Sequence, residues 1–244
     1  MDFVGVDLAA QPRRTGLAVL RDLGGTLLVA QARSGAEDDE LVRAITGSVK
    51  TGVDVPVGWP DRFVDLLAAH AAGTLSPPDS TGDAWRRDLA MRATDLAVHR
   101  RTGLTPLSVS TDRIAHPALR WAGIEARLRA SGLDVARDGS GMLCEVYPAA
   151  ALRAWSLPHR GYKGTKNAAP RSELVAALSR AVPALDWNGH RERCTADDDA
   201  LDAVLAALIA REVTHGRAEP PPPELREVAR REGWIWVPRE LPRA

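Results

Sequence analysis

The sequence predicts an α/β fold, a mixed sheet flanked by helices with a helical insertion after the fourth strand. Three observations predict it. The first third of the chain reads as strand, strand, strand, helix, strand, with turn residues between the runs. The run Val53–Val57 is short and almost entirely apolar, the pattern of a strand covered on both faces. Acidic residues interrupt apolar runs at Asp7 and Asp54, and Asp199 and Asp202 open a long apolar helix pattern. A carboxylate in a buried strand is costly unless it is paired or binds a cation.

Taken in order, Phe3–Leu8 is the first strand, and residues 9–14 are a polar turn. Thr15–Leu20 and Leu27–Ala32 are the second and third strands, joined at Gly24-Gly25. Leu41, Val42, Ile45 and Val49 keep helical spacing behind the acids of residues 37–40, which favour a helix N-terminus. Val53–Val57 is the fourth strand. The stretch 61–131 is helical: a helix capped by Asp61, a Pro-containing loop over 73–82, a charged helix over 84–101, and another over 117–131 marked by Trp121, Ile124 and Leu128. Leu133–Ala136 and Met142–Tyr147 read as a β-like pair. A short helix over 149–155 follows, then a loop around Tyr162-Lys163-Gly164, and a helix marked by Leu174, Val175, Leu178 and Val182 that stops at Pro183. The long helix spans 197–213, with Thr195 and Asp198 as a capping box. Pro220–Pro223 is a stiff connector to Gly233-Trp234-Ile235-Trp236-Val237-Pro238, an edge strand or docked tail.

This order of elements is compatible with a ribonuclease H-like fold, which places acids on its first strand, its fourth strand and its last helix. The expected organisation is a ribonuclease H-like domain over 1–215, with 61–131 inserted within it, and a connector and docking segment over 216–244.

Composition narrows the functional classes. The chain has 244 residues, 45% of them hydrophobic, which suits a globular protein with a substantial core. Formal net charge is zero, so a nucleic-acid site would have to be a local patch. Cys144 and Cys194 are isolated, without the spacing of a zinc site or a disulfide framework. Met1-Asp2-Phe3 leads directly into the first strand, and no stretch approaches the roughly 18 apolar residues of a membrane span. The expectation is a cytoplasmic protein with no membrane partner. Nucleophile-elbow, P-loop and H-E-x-x-H motifs are absent.

The acids point to divalent-cation chemistry. Mg²⁺ and Mn²⁺ prefer compact sets of oxygen ligands. Two such ions about 4 Å apart can activate water and stabilise the leaving oxygen in phosphodiester cleavage. Asp7, Asp54, Asp199 and Asp202 are the candidate catalytic and metal-binding residues. Each also has a plainer reading: Asp7 as a strand-end carboxylate accepting backbone hydrogen bonds, Asp54 as a turn acid before Pro56, and Asp198 and Asp199 as first-turn acids suited to the helix dipole.

Seven segments bear a resemblance to one family. Val4-Gly5-Val6-Asp7-Leu8-Ala9 with Thr15-Gly16-Leu17-Ala18 resembles the opening of the DUF429 family, described as predicted nucleases of ribonuclease H fold. Val53–Pro60, Arg92-Ala93-Thr94-Asp95, Glu145-Val146-Tyr147-Pro148 and Asp199–Ala203 are similar to later segments of the family, as are Tyr162-Lys163-Gly164 and the terminal Trp-rich run. The resemblance implies the fold and, through the family's description, a metal-dependent nuclease. The Asp199/Asp202 pair also resembles that of Holliday-junction resolvases, which carry Glu where this chain has Asp54.

The same segments supply further candidates. Glu145 reads either as another metal ligand or as the partner that orients Arg92 in a buried ion pair. Arg92 and Asp95 read either as a solvated helix pair or as site residues, with Arg92 gripping a phosphate. Lys163 reads either as a solvated lysine or as a phosphate contact. Two rival functions remain: a non-catalytic scaffold that retains the fold, and an actin-like phosphotransferase suggested by Gly5-Val6-Asp7 and Thr15-Gly16. The second lacks the duplicated domain that fold uses.

Overall fold

The apolar run after Met1 becomes β1 (Asp2–Asp7), the middle strand of a seven-stranded sheet in a computed structural model that describes residues 1–243. On one side β2 (Gly16–Asp22) and β3 (Leu27–Arg33) continue as an antiparallel meander. Gly24 and Gly25, both at positive φ, make the expected turn between them. On the other side β4 (Lys50–Asp54) pairs parallel to β1, with Asp7 opposite Asp54. β5 (Leu143–Val146) pairs parallel to β4, β6 (Leu185–Asp186) pairs parallel to β3, and β7 (Ile235–Trp236) pairs parallel to β5. The order is β6-β3-β2-β1-β4-β5-β7, consistent with the ribonuclease H-like arrangement.

Two helical layers cover the sheet. α1 (Asp38–Thr46) crosses from β3 to β4, its N-terminus closed by a reciprocal Glu37/Glu40 capping box. Trp121, Ile124 and Leu128 of α5 (Ala115–Ala130) join Leu41 and Ile45 of α1 against Val4, Val6 and Val53. α6 (Pro148–Ala154), α7 (Ala168–Ala181), α8 (Arg191–Ala196) and α9 (Asp198–Thr214) form the other layer. α9 is buried from Asp199 to Val213, all the way round. An Ala-rich helix suits that place because its small side chains let sheet and helices approach from every direction.

Strand parity and three glycines set the distance between α9 and the sheet. Side chains alternate along β1, so Phe3, Gly5 and Asp7 face α9 while Val4 and Val6 face α5. A methyl group at Gly5 would collide with the Ala203 carbonyl, one at Gly16 with the Asp199 carbonyl, and one at Gly52 with the Ala206 carbonyl. The α9 backbone therefore rests directly on β2, β1 and β4. Asp7 and Asp54 share the parity of Gly5 and Gly52, so they face the same helix.

Several expected elements differ. The 84–101 helix is two helices, α3 (Asp83–Ala90) and α4 (Ala93–Thr102), because Arg92 takes an extended conformation and serves as the α4 N-cap. Leu133–Ala136 is not a strand. The Lys50 ammonium accompanies this loop, donating to the carbonyls of Gly139 and Gly141. β4 ends at Asp54, two residues before Pro56, which has no N–H for a ladder. Asp197, not Thr195, caps α9: its carboxylate accepts from the backbone N–H groups of Asp199 and Ala200. Within 61–131, α2 (Asp61–Ala71) and α3 bury no residue, whereas α5 is a core layer. The C-terminal stretch contributes α10 (Arg226–Glu232) and β7; Ala244 lies outside the described residues. Among the described residues, no helix is long and apolar enough to cross a membrane.

Candidate metal centre

β1 and β4 end together, and their parallel register sets Asp7 beside Asp54. Asp202 comes from the second turn of α9, one residue before the Ala203 carbonyl that rests on Gly5. One carboxylate oxygen from each of Asp7, Asp54 and Asp202 lies within 4.8 Å of the other two. Asp7 and Asp54 are half-buried and Asp202 is fully buried. Like charges this close disfavour simultaneous ionisation. Burial pushes Asp7 well above the ordinary carboxylate range; Asp202 adds to the shift and Lys163 opposes it. Burial pushes Asp54 up to about 7, with Lys163 opposing and Asp202 adding.

The groups meeting Asp202 come from the loop before α7. The Tyr162 hydroxyl donates to Asp202 Oδ1 at 2.8 Å. The Lys163 ammonium stands 2.6 Å from Asp202 Oδ2. That contact pairs Oδ2 with the ammonium, and Oδ2 has no other hydrogen-bond partner among the described residues. Burial works against the charge of Lys163, yet Asp202 and the neighbouring acids hold its pKa well above that of an ordinary lysine. Three carboxyl groups share one ammonium among these four side chains.

Buried Arg171 organises that loop. It donates to the carbonyls of Tyr162 and Gly164 on one side and of Thr195 and Ala196 on the other, tying the loop to the end of α8. Asp198 completes the clasp by accepting from the Gly164 N–H at 3.0 Å. Gly164 has φ of 90°, a conformation that favours glycine. Neither Arg171 nor Tyr162 was assigned a role from sequence. Arg171 carries no local signal, since its partners are backbone carbonyls far along the chain.

The other predicted ligands are placed elsewhere. Asp199 is one turn before Asp202, but Arg14 draws its carboxylate away through contacts of 2.8 and 3.0 Å. It groups with Asp197 and Asp198, all three already engaged as cap, clasp and ion pair. Glu145 is not in the triad either. Its two oxygens accept from Arg92 Nη1 and Nη2, each at 2.7 Å, and Oε2 also accepts from the Val57 N–H. Arg92 and Asp95 are not a solvated pair, nor is Arg92 left open to a phosphate. Both are buried, and the guanidinium is filled by Asp95, Glu145 and the Glu232 carbonyl.

These segments fall within one family profile. A family model described as a protein of unknown function, DUF429, matches residues 5–227. The chain belongs to the DUF429 family. No curated protein and no solved structure matches it. The DUF429 match takes in the triad, Lys163, Arg92 and Glu145, and stops short of β7, so the terminal Trp-rich run lies outside it.

A cleft of about 500 Å³ opens from Asp54 and Lys163. Its walls include Val55, Pro56, Leu104, Pro106 and Ile114, with Tyr147 at the end of β5. His159 and Arg160 lie along one side, and His159 also borders a second groove that carries Arg101 and Arg153.

Proposed function

We propose that this chain is a metal-dependent phosphodiesterase of the nuclease kind, in which Asp7, Asp54 and Asp202 hold Mg²⁺ or Mn²⁺. The observation that carries the reading is the convergence of three carboxyl groups around a single lysine. The residues fit such an ion. The donors are all hard oxygens, which suits Mg²⁺ or Mn²⁺ better than zinc. Asp202 Oδ2 is buried and, among the described residues, meets only the Lys163 ammonium, the position a cation would take.

When bound, such an ion supplies Lewis acidity, lowering the pKa of water and neutralising charge on phosphoryl oxygens. The chain's own groups do the rest. Tyr162 fixes the orientation of Asp202 through Oδ1, while Lys163 pairs with Oδ2. Asp7, Asp54 and Asp202 would hold the ion in their ionised forms. With Asp202 engaged by such an ion, Lys163 would be placed to meet a phosphate oxygen. Arg160 and Arg153 offer local positive charge for a nucleic-acid strand on a chain of zero net charge.

Titration calorimetry with Mn²⁺, paired with hydrolysis of bis(p-nitrophenyl) phosphate, tests the reading. We expect binding and turnover in the wild type and loss of both in Asp7→Asn and Asp202→Asn. Mn²⁺ binding unchanged by Asp7→Asn would overturn it. The 2.6 Å Lys163–Asp202 pair supports a second reading, a metal-free scaffold in which the lysine stands where the ion would be. Absence of Mn²⁺ binding in the same titration favours that reading.

A further inference from the structure

The cleft beside the triad is poorly suited to a sugar-phosphate backbone alone. Val55, Pro56, Leu104, Pro106 and Ile114 present apolar surface, and a charged phosphate gains nothing from such walls. Yet Asp54 and Lys163 border the same cavity, so whatever enters is continuous with the group held at the carboxylates. A volume of about 500 Å³ falls within the range of small-ligand pockets, roughly 300–1,000 Å³, and is too small for a paired helix. Tyr147 adds an aromatic ring with a hydroxyl, suited to a flat group with polar edges. Arg160 at the side favours an anionic ligand over a neutral aliphatic chain.

We propose that the cleft receives one unpaired nucleobase, whose own phosphate sits at Asp7, Asp54 and Asp202. The substrate class is then a nucleoside phosphate unit, either free or within an unpaired strand. A base in a duplex must leave its stack to enter. This assignment rests on the phosphodiester reading of the triad for its phosphate end, whereas the base end stands on the cleft alone.

Equilibrium binding to the full chain tests both ends. Five probes compete against a fluorescent nucleotide, with and without Mn²⁺: adenosine 5′-monophosphate, ribose 5-phosphate, adenosine, the trinucleotide ApApA, and a fully paired hairpin. With Mn²⁺, we expect the monophosphate to bind about 10-fold or more tighter than ribose 5-phosphate, the scale of one base stacked on an aromatic ring. Ala149→Phe places a ring in the cleft from its α6 wall. It should erase that preference and leave the affinities for Mn²⁺ and ribose 5-phosphate unchanged. Equal binding of the two phosphates, or a preference that survives Ala149→Phe, overturns the assignment. So does a fully paired hairpin that competes as well as ApApA. Tighter binding of ApApA than of the monophosphate supports a strand substrate, and the reverse supports a free nucleotide. If Mn²⁺ fails to bind while adenosine still binds the wild type but not Ala149→Phe, the triad reading falls and the base site stands.

Discussion

Two groups of acids sit side by side where β4 and β5 end, and they behave oppositely. Asp95 and Glu145 are buried around Arg92, which meets both with paired hydrogen bonds and also donates to the Glu232 carbonyl. Burial penalises the charge on Arg92, but its two acids raise its pKa further. The Glu232 carboxylate in turn accepts from the backbone N–H groups of Asp61 and Ala93, at the starts of α2 and α4. This network joins four elements and leaves little for a ligand to add. Asp7, Asp54 and Asp202 meet one lysine, which makes an ion pair with only one of them. Acids of the same kind build structure where their charge is matched and make a candidate site where it is not.

The largest effect expected from this contrast is at Arg92. Arg92→Met strands two buried carboxylates and should cost about 3–5 kcal/mol, a fall in Tm on the order of 10 °C by thermal melting. A variant as stable as wild type would mean the network is not structural. The triad should respond with the opposite sign. Asp54→Asn removes a carboxylate whose charge burial disfavours, so the metal-free protein at pH 8 should gain on the order of 2 kcal/mol, while Mn²⁺ binding is lost.

The pH dependence sharpens the same point. Asp54 is raised to about 7 when folded, so between roughly pH 4 and pH 7 the native state binds more protons than the unfolded chain. Its contribution to stability is favourable at low pH and is lost as pH rises through that window. Asp22, Asp39 and Glu40 are lowered instead, and their contributions are lost at more acidic pH. The Tm of metal-free wild type minus that of Asp54→Asn should therefore fall from pH 5 to pH 8, and Mn²⁺ should raise the wild-type Tm most at pH 8. A flat difference would show that the triad's charges are already compensated.

Smaller effects separate the centre from its surroundings. Tyr162→Phe removes one hydrogen bond to Asp202 and should cost about 1 kcal/mol of stability, with a several-fold weaker Mn²⁺ affinity by calorimetry. Arg14→Ala breaks a partly exposed pair with Asp199 and should cost less than about 1 kcal/mol, leaving Mn²⁺ affinity unchanged. A large loss of affinity in Arg14→Ala would return Asp199 to the centre.

Much of this was legible in the chain, and the failures have a common cause. The expected strand-and-helix order matches β1 to β4, α1 and α9 because each is a local run with its own periodicity and turn residues. Asp7 and Asp54 stood out because a carboxylate at the end of an apolar strand is rare without a reason. Glu145 and Asp199 looked similar and were placed with them, since sequence does not reveal that Arg92 and Arg14 reach them first. The split between α3 and α4 was missed because Arg92 breaks the helix to serve contacts with Glu145 and Glu232, 53 and 140 residues away.

By itself the sequence determined β1 to β4, α1 and α9, and, through the two-residue period of strands, that Asp7 shares a face of β1 with Gly5 and Asp54 a face of β4 with Gly52. Only the tertiary structure decided that α9 lies on those glycines, bringing Asp202 rather than Asp199 to the pair. It also decided which acids are neutralised. Periodicity is a property of neighbours along the chain, whereas compensation of a buried charge depends on side chains that only packing brings within reach.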